Sequence, residues 1–228
     1  MKKLVPAVFV ALAVGAPIGV SAQEVMSATY ISKEIIDHVN RLPGVDRQII
    51  SRDIGDLNLA VGIVHRGPTG QAAAGAGGAA GRQGGGAAAP AAGGGRQGGA
   101  AAPQAQPCGV TTGTPSGATG IAHDGQTETY VIVSGSGVLV TGGQILNGTR
   151  SAANSNVTLV LNGPSCSGAI VGQVVSREVR VGDVIIIPAG VPHGWSSIVD
   201  HVDYLSIRPD PERYIDEYVN PALTLNLN

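Results

Sequence analysis

The sequence predicts an all-β fold, a barrel or sandwich of short strands with one short helix at each end. Three observations carry this. From residue 118 onward nearly every apolar run is short and strand-like, and Gly or Pro punctuates most of them. Helix signals show at only two places, an apolar face over residues 31–42 and the Asp210-Pro211-Glu212 opening before residues 213–219. Once a leader and a low-complexity tract are set aside, about 165 residues remain, enough for one domain.

The elements follow in order. Ser32 can cap a helix whose Ile31, Ile35, Val39 and Leu42 share a face, and Pro43-Gly44 ends it. Leu57 to Val64 is the next strand. Beyond the tract the expected strands are Thr127–Val133, Val138–Thr141, Val157–Leu161, Ala169–Val175, Arg177–Val181, Val184–Ile187 and Val202–Ile207. Many short strands at this spacing suit a barrel or sandwich. Asp210-Pro211-Glu212 then opens a terminal helix over Arg213–Val219.

Residues 1–22 read as a secretory signal peptide: Lys2 and Lys3, an apolar run from Leu4 to Val20, then Ser21-Ala22-Gln23 with cleavage after Ala22. A retained anchor is the alternative, but Pro6, Gly15, Pro17 and Gly19 interrupt the run and it is short for a bilayer. The expectation is a periplasmic or secreted protein. Losing Lys2 and Lys3 takes the formal charge from −2 to −4. Mild acidity without a basic cluster argues against nucleic acid and anionic membrane as partners.

Residues 23–66 form the helix and first barrel strand. From Gly67 to Pro107 only Gly, Ala, Pro, Gln, Thr and Arg occur, with Gly-Arg-Gln-Gly-Gly at Gly81 and again at Gly95. Such a segment buries too little apolar area to offset its ordering entropy, so it is expected to be a flexible insertion, either a surface tether or a tolerated loop expansion. Residues 108–228 complete the barrel. Cys108 and Cys166, in Gln-Pro-Cys-Gly and Pro-Ser-Cys-Ser-Gly, form one disulfide in an oxidising compartment or remain two separate thiols.

The chemistry-bearing segments lie after the tract. Gly182-Asp183-Val184-Ile185-Ile186-Ile187-Pro188-Ala189-Gly190-Val191-Pro192-His193 is a strand entering a Pro-x-Gly turn that delivers a histidine. Pro188 fixes the exit, Gly190 permits a backbone others resist, and His193 is thereby aimed inward. This resembles the second signature of the cupin family, Gly-x5-Pro-x-Gly-x2-His, with Ser197 where the family has a trailing Asn. The first signature, His-x-His-x4-Glu-x6-Gly, aligns as Ile121-Ala122-His123, four residues, Glu128, six residues and Gly135, with Ile121 in place of the leading histidine. The resemblance covers residues 118–208. It implies a double-stranded β-helix of the cupin or jelly-roll kind. It also implies a metal site of His123, Glu128 and His193, and a dioxygenase, isomerase, decarboxylase or lyase acting on a small molecule in the barrel mouth.

Two imidazoles and a carboxylate suit iron, manganese, nickel or zinc, and ligand type does not choose among them. A pocket that has lost its metal is the alternative, as is a non-catalytic module for a sugar or other small ligand. By alternation Tyr130 points inward with Glu128, either contacting substrate or packing the core. Trp195 either lines the pocket mouth or packs. His65 ends the strand before the tract and either approaches the site or, like His38 and His201, is a surface residue. Asn147-Gly148-Thr149 and Asn156-Val157-Thr158 fit the glycosylation pattern. Neither a Gly-rich phosphate loop nor a Ser-His-Asp arrangement is legible. A homodimer is compatible with the sequence.

Overall fold

The computed structural model describes residues 28–70 and 106–224. The proposed leader and most of the Gly/Ala tract lie outside these residues. Residues 28–30 carry no regular structure. From Ile31 onward the order is α1 (Lys33–Asn40), β1 (Asp46–Asp53), β2 (Asn58–Arg66), β3 (Pro107–Cys108), β4 (Pro115–His123), β5 (Glu128–Arg150), a π-helical turn (Val157–Asn162), β6 (Ser165–Arg180), β7 (Val184–Ile187), β8 (His193–Ser197), β9 (Val202–Asp210), β10 (Tyr218–Val219) and a 3-10 turn (Pro221–Thr224). No helix among the described residues is long and apolar enough to cross a membrane.

All pairings between these strands are antiparallel. The 23-residue β5 is the hinge of the architecture. Its first third pairs with β7 on one side and β9 on the other, extending the run β10-β1-β2-β9. Its remainder pairs with β6 and β8, and since β4 pairs with both β6 and β8, these four strands close into a ring. The strand before the tract sits inside the sheet, β2 pairing with β1 and β9. The fold is therefore an all-β barrel-like sheet, as the strand-rich sequence predicts.

Burial follows the pleat. Along β5, Glu128, Tyr130 and Ile132 are buried while Thr129, Val131 and Val133 are not, the alternation expected of a strand with one face inward. Tyr130, Ile132, Leu139, Trp195, Ile198, Val202 and Tyr204 meet in the main core. The Tyr130 and Tyr204 rings lie 4.0 Å apart by centroid and Trp195 lies 5.7 Å from Tyr204; offset aromatic pairs of this kind add about 0.5–1.5 kcal/mol beyond area burial. Outside the barrel, Ser32 Oγ accepts from the Ile35 N–H to cap α1, and Ile31, Ile35 and Val39 pack on Ile49 and Ile63. Leu42 falls beyond the helix and is partly exposed.

Several local expectations are corrected. No helix forms over Arg213–Val219. Arg213 has φ 56°, outside the helical region, Asp210 Oδ2 takes the Ile215 N–H, and Tyr218–Val219 pairs with β1. Tertiary pairing and the Asp210 turn override the weak helical pattern. The expected strand at Val157–Leu161 is the π-helical turn; Thr158 Oγ1 donates to the Ala152 carbonyl at 2.8 Å and folds the segment back on itself. The paired runs 127–133 and 138–141, and 169–175 and 177–181, are each parts of one longer strand. The first strand runs on through Gly135 and Gly137 as it changes partner from β9 to β6, and a register shift between Gly142 and Gln144 carries it past Thr141.

Candidate metal centre

His123 is the last residue of β4, Glu128 the first of β5 and His193 the first of β8. The sheet brings these three strand ends together. Gly190, at φ +77°, turns the chain after Pro188, and its N–H donates to the His123 carbonyl at 2.7 Å, so the two signature segments are bonded to each other. Close approach of β4 and β8 depends on a facing pair of glycines. Gly120 and Gly194 are partners, and a Cβ on Gly120 would lie 2.1 Å from the His193 carbonyl oxygen.

The donor atoms converge. His123 Nε2 lies 3.1 Å and His193 Nε2 3.0 Å from the same Glu128 oxygen, Oε2, and the two imidazole centroids are 5.2 Å apart. All three side chains are buried. Each imidazole has its other nitrogen occupied: His123 Nδ1 lies 3.0 Å from the Asn162 carbonyl and His193 Nδ1 3.0 Å from the Val191 carbonyl. A carbonyl can only accept, so both Nδ1 atoms carry the proton when the rings are neutral, and both Nε2 lone pairs face the carboxylate. Two lone pairs against an anion repel unless a proton or a metal cation lies among them. A divalent ion satisfies the whole set, and one ligand atom from each residue lies within 4.8 Å of the others. His193 Nε2 has no aligned hydrogen-bond partner, a further sign of a donor set built for something other than itself. The residues fit a metal ion; when bound it would polarise and orient a ligand at its open positions.

The carboxylate is held from behind. Glu128 Oε1 accepts from Ser206 Oγ, and Arg208 Nε stands 4.0 Å from the same oxygen. Arg208 is 0 % exposed and clasps the Leu161 carbonyl, Asn162 Oδ1, Asp46 and Gln48. Burial pushes the Glu128 carboxyl up, but when the metal-free rings carry a proton on Nε2 the charge and hydrogen bond of His123, with those of His193, outweigh it and hold the group well below its ordinary range. It is a carboxylate at neutral pH.

Ile121 lies on the same strand face as His123, two residues before it, and pairs across the ladder with His193. It puts hydrocarbon at the position that aligns with the first histidine of the His-x-His-x4-Glu pattern. Tyr130 is buried, edge-on to His193 at 5.9 Å, and burial with the nearby Glu128 charge raises its phenol well above the ordinary value. Trp195 belongs to the main core against Tyr204, so packing is its role in this structure rather than lining a mouth. His65 does not approach the centre; its Nδ1 pairs with Asp203 at 2.6 Å, toward the other end of β9. Cys108 and Cys166 are joined, tying β3 to β6 one pair away from His123, since Ala122 faces Cys166.

Ser206, Arg208 and Asn162 are the parts that sequence reasoning missed. For the first two a signal existed: at the inward positions of β9, Val202 and Tyr204 give way to Ser206, Arg208 and Asp210, all 0 % exposed. A polar row on the buried face of a strand marks a site rather than a core. Asn162 carried no such mark, because its segment reads as a strand.

No family model and no curated sequence matches the chain. Among solved structures it is similar to the Drosophila melanogaster CENP-C cupin domain, at 12 % identity over 71 % of this chain and 74 % of that one, with a TM-score of 0.27. An oxalate oxidase is similar at 11 % identity over 90 % and 69 %, TM-score 0.31. A Lactobacillus farciminis oxalate decarboxylase is similar at 10 % identity over 76 % of this chain and 35 % of that one, TM-score 0.27. Identities and scores this low carry no argument on substrate or mechanism, which rest on the site alone. By its own strand pairing the chain is an all-β, barrel-like fold in which the two segments carrying His123, Glu128 and His193 meet in one interior.

Proposed function

We propose that this chain is an exported cupin that binds one divalent first-row ion through His123, Glu128 and His193 and acts on a small molecule, as a dioxygenase, isomerase, decarboxylase or lyase. The supporting observation is the convergence of two Nε2 atoms, each with its lone pair fixed by a carbonyl at Nδ1, on one carboxylate oxygen. Ile121 leaves such an ion with three protein ligands and open positions for a substrate. Iron, manganese, nickel and zinc all suit this donor set. Export rests on the leader pattern and agrees with a disulfide, which persists in oxidising compartments.

The test is metal reconstitution of stripped protein followed by thermal unfolding. An ion at 100 times its Kd adds about 2.7 kcal/mol, which for a domain of this size raises Tm by roughly 5–10 °C. His193→Ala and Glu128→Ala should abolish the response. Equal weak responses from wild type and both variants would remove the metal reading. A non-catalytic module for a sugar or other small ligand would then take its place; the depth of the centre, with all three groups 3 % exposed or less, is the observation in that reading's favour.

A further inference from the structure

Ser134, Asp200 and His201 form a hydrogen-bonded chain that no sequence pattern announces. His201 Nδ1 lies 2.7 Å from Asp200 Oδ2, and His201 Nε2 lies 2.8 Å from Ser134 Oγ. A carboxylate can only accept, so it takes the Nδ1 proton and leaves the Nε2 lone pair to accept the Ser134 hydroxyl. The order hydroxyl, imidazole, carboxylate is that of a base-activated nucleophile. It stands apart from the metal centre, six residues along β5 from Glu128 or roughly 20 Å.

Three further features hold the arrangement. The ladder between β5 and β9 shifts register between Ile132 and Ser134, leaving Val133 without a partner opposite, so Ser134 sits at a bulge; bulges re-aim side chains beside active sites. Gly135, at φ +67°, lets the turn carrying His201 come close, since a Cβ there would lie 2.0 Å from the His201 carbonyl oxygen. The His65 ring stacks on His201 with centroids 6.0 Å apart and planes 24° from parallel. His65 is itself fixed by Asp203, whose other oxygen accepts from Asn40 at 3.0 Å, so Asp203 does not compete for His201. The serine is half-buried and His201 is 32 % exposed, within reach of a small molecule from solvent.

We propose that Ser134 is a nucleophile for small activated acyl esters, with His201 as its general base and Asp200 orienting the imidazole. Ser134 Oγ forms a bond to the acyl carbon as the ester C–O bond breaks, and the hydroxyl proton passes to His201 Nε2 and on to the leaving alkoxide. Water then releases the acyl group as a carboxylic acid and restores the serine. A fluorophosphonate probe takes the first half of this path: an O–P bond replaces P–F, fluoride leaves, and the adduct persists.

The experiment treats the full-length chain with a fluorophosphonate probe, measures the labelling rate and locates the adduct by peptide mapping, with p-nitrophenyl acetate hydrolysis in parallel. Labelling at Ser134 is expected, absent in Ser134→Ala and slowed about 100-fold or more in His201→Ala. Asp200→Asn should lose less, since Asp200 is largely exposed and solvent takes part in orienting the imidazole. A chelator should leave the rate unchanged, which separates this chemistry from the metal centre. Absence of labelling, an adduct elsewhere, or a rate indifferent to both His201→Ala and Asp200→Asn overturns the proposal.

Discussion

Replacing Arg208 with methionine tests how the interior of this protein is held together. The guanidinium is fully buried and its partners are fixed: Asp46 at 3.3 Å, Gln48 at 3.4 Å, the Leu161 carbonyl and Asn162 Oδ1. Methionine fills most of the volume but donates nothing. Asp46 is left without its cation and the two acceptors on the π-helical turn without donors. Removing one member of a buried ion pair costs about 3–5 kcal/mol, because the other charge stays behind uncompensated. At roughly 2–4 °C per kcal/mol for a domain of this size, Tm should fall by about 6–20 °C. Differential scanning calorimetry in the presence of a chelator isolates this effect from any bound ion. Arg208→Lys, which keeps the charge but loses the fork, should fall between. Because Asn162 also sets the His123 tautomer, whatever metal affinity is measured should drop by roughly 10–100-fold in the methionine variant, the usual cost of losing a ligand's outer support. A Tm within about 2 °C of wild type would refute the argument that Arg208 ties the turn to the sheet.

Three further outcomes are expected. Gly120→Ala must part β4 from β8, because its Cβ would meet the His193 carbonyl oxygen at 2.1 Å; overpacking of this kind costs about 1–3 kcal/mol, and the metal-induced rise in Tm should vanish with it. Reducing Cys108–Cys166 opens a loop of 58 residues and should destabilise the chain by about 4 kcal/mol on the chain-entropy estimate, read as a shift in the urea midpoint with and without reductant. Glu128 is held below its ordinary value of 4.5, so its stabilisation of the metal-free fold is fully present above that pH and lost only as pH falls well below it. The stability difference between wild type and Glu128→Gln should therefore not shrink from neutrality to pH 4.5; a difference already shrinking at pH 6 would contradict the assignment.

The three residues of the candidate site were legible in the sequence because their spacing is tied to turn chemistry. Pro188 and Gly190 must occupy fixed places before His193 can point inward, and that constraint survives as a readable pattern. Short continuous β-branched runs, such as Val184–Ile187, were legible from their composition and their Gly and Pro flanks. Others were not. β1 reads Asp-Arg-Gln-Ile-Ile-Ser-Arg-Asp, polar at both ends, and is a strand because β2 and β10 supply its ladder. β4 and β8 carry glycines where the chains touch, so packing rather than propensity builds them. The terminal helix failed because Asp210, which seemed a helix opener, spends its carboxylate on the Ile215 and Gln126 N–H groups instead. Ser134 and His201 are 67 positions apart, and only the sheet register makes them neighbours.

The placement of β2 bears on what a protease could do to this protein. The single disulfide joins two residues that both follow the Gly/Ala tract, so a cut between residues 71 and 105 leaves two pieces with no covalent link. Yet the earlier piece carries β1 and β2, and β2 is zipped along nine residue pairs to β9 of the later piece, with Ile49, Ile63 and Val39 packed around Ala222 from the chain's other end. Arg208, from the later piece, is gripped by Asp46 and Gln48 of the earlier one. A nicked molecule should therefore run as one species under native conditions and as two on a denaturing gel, reduced or not. The two halves, expressed separately, are natural candidates for reassembly by complementation.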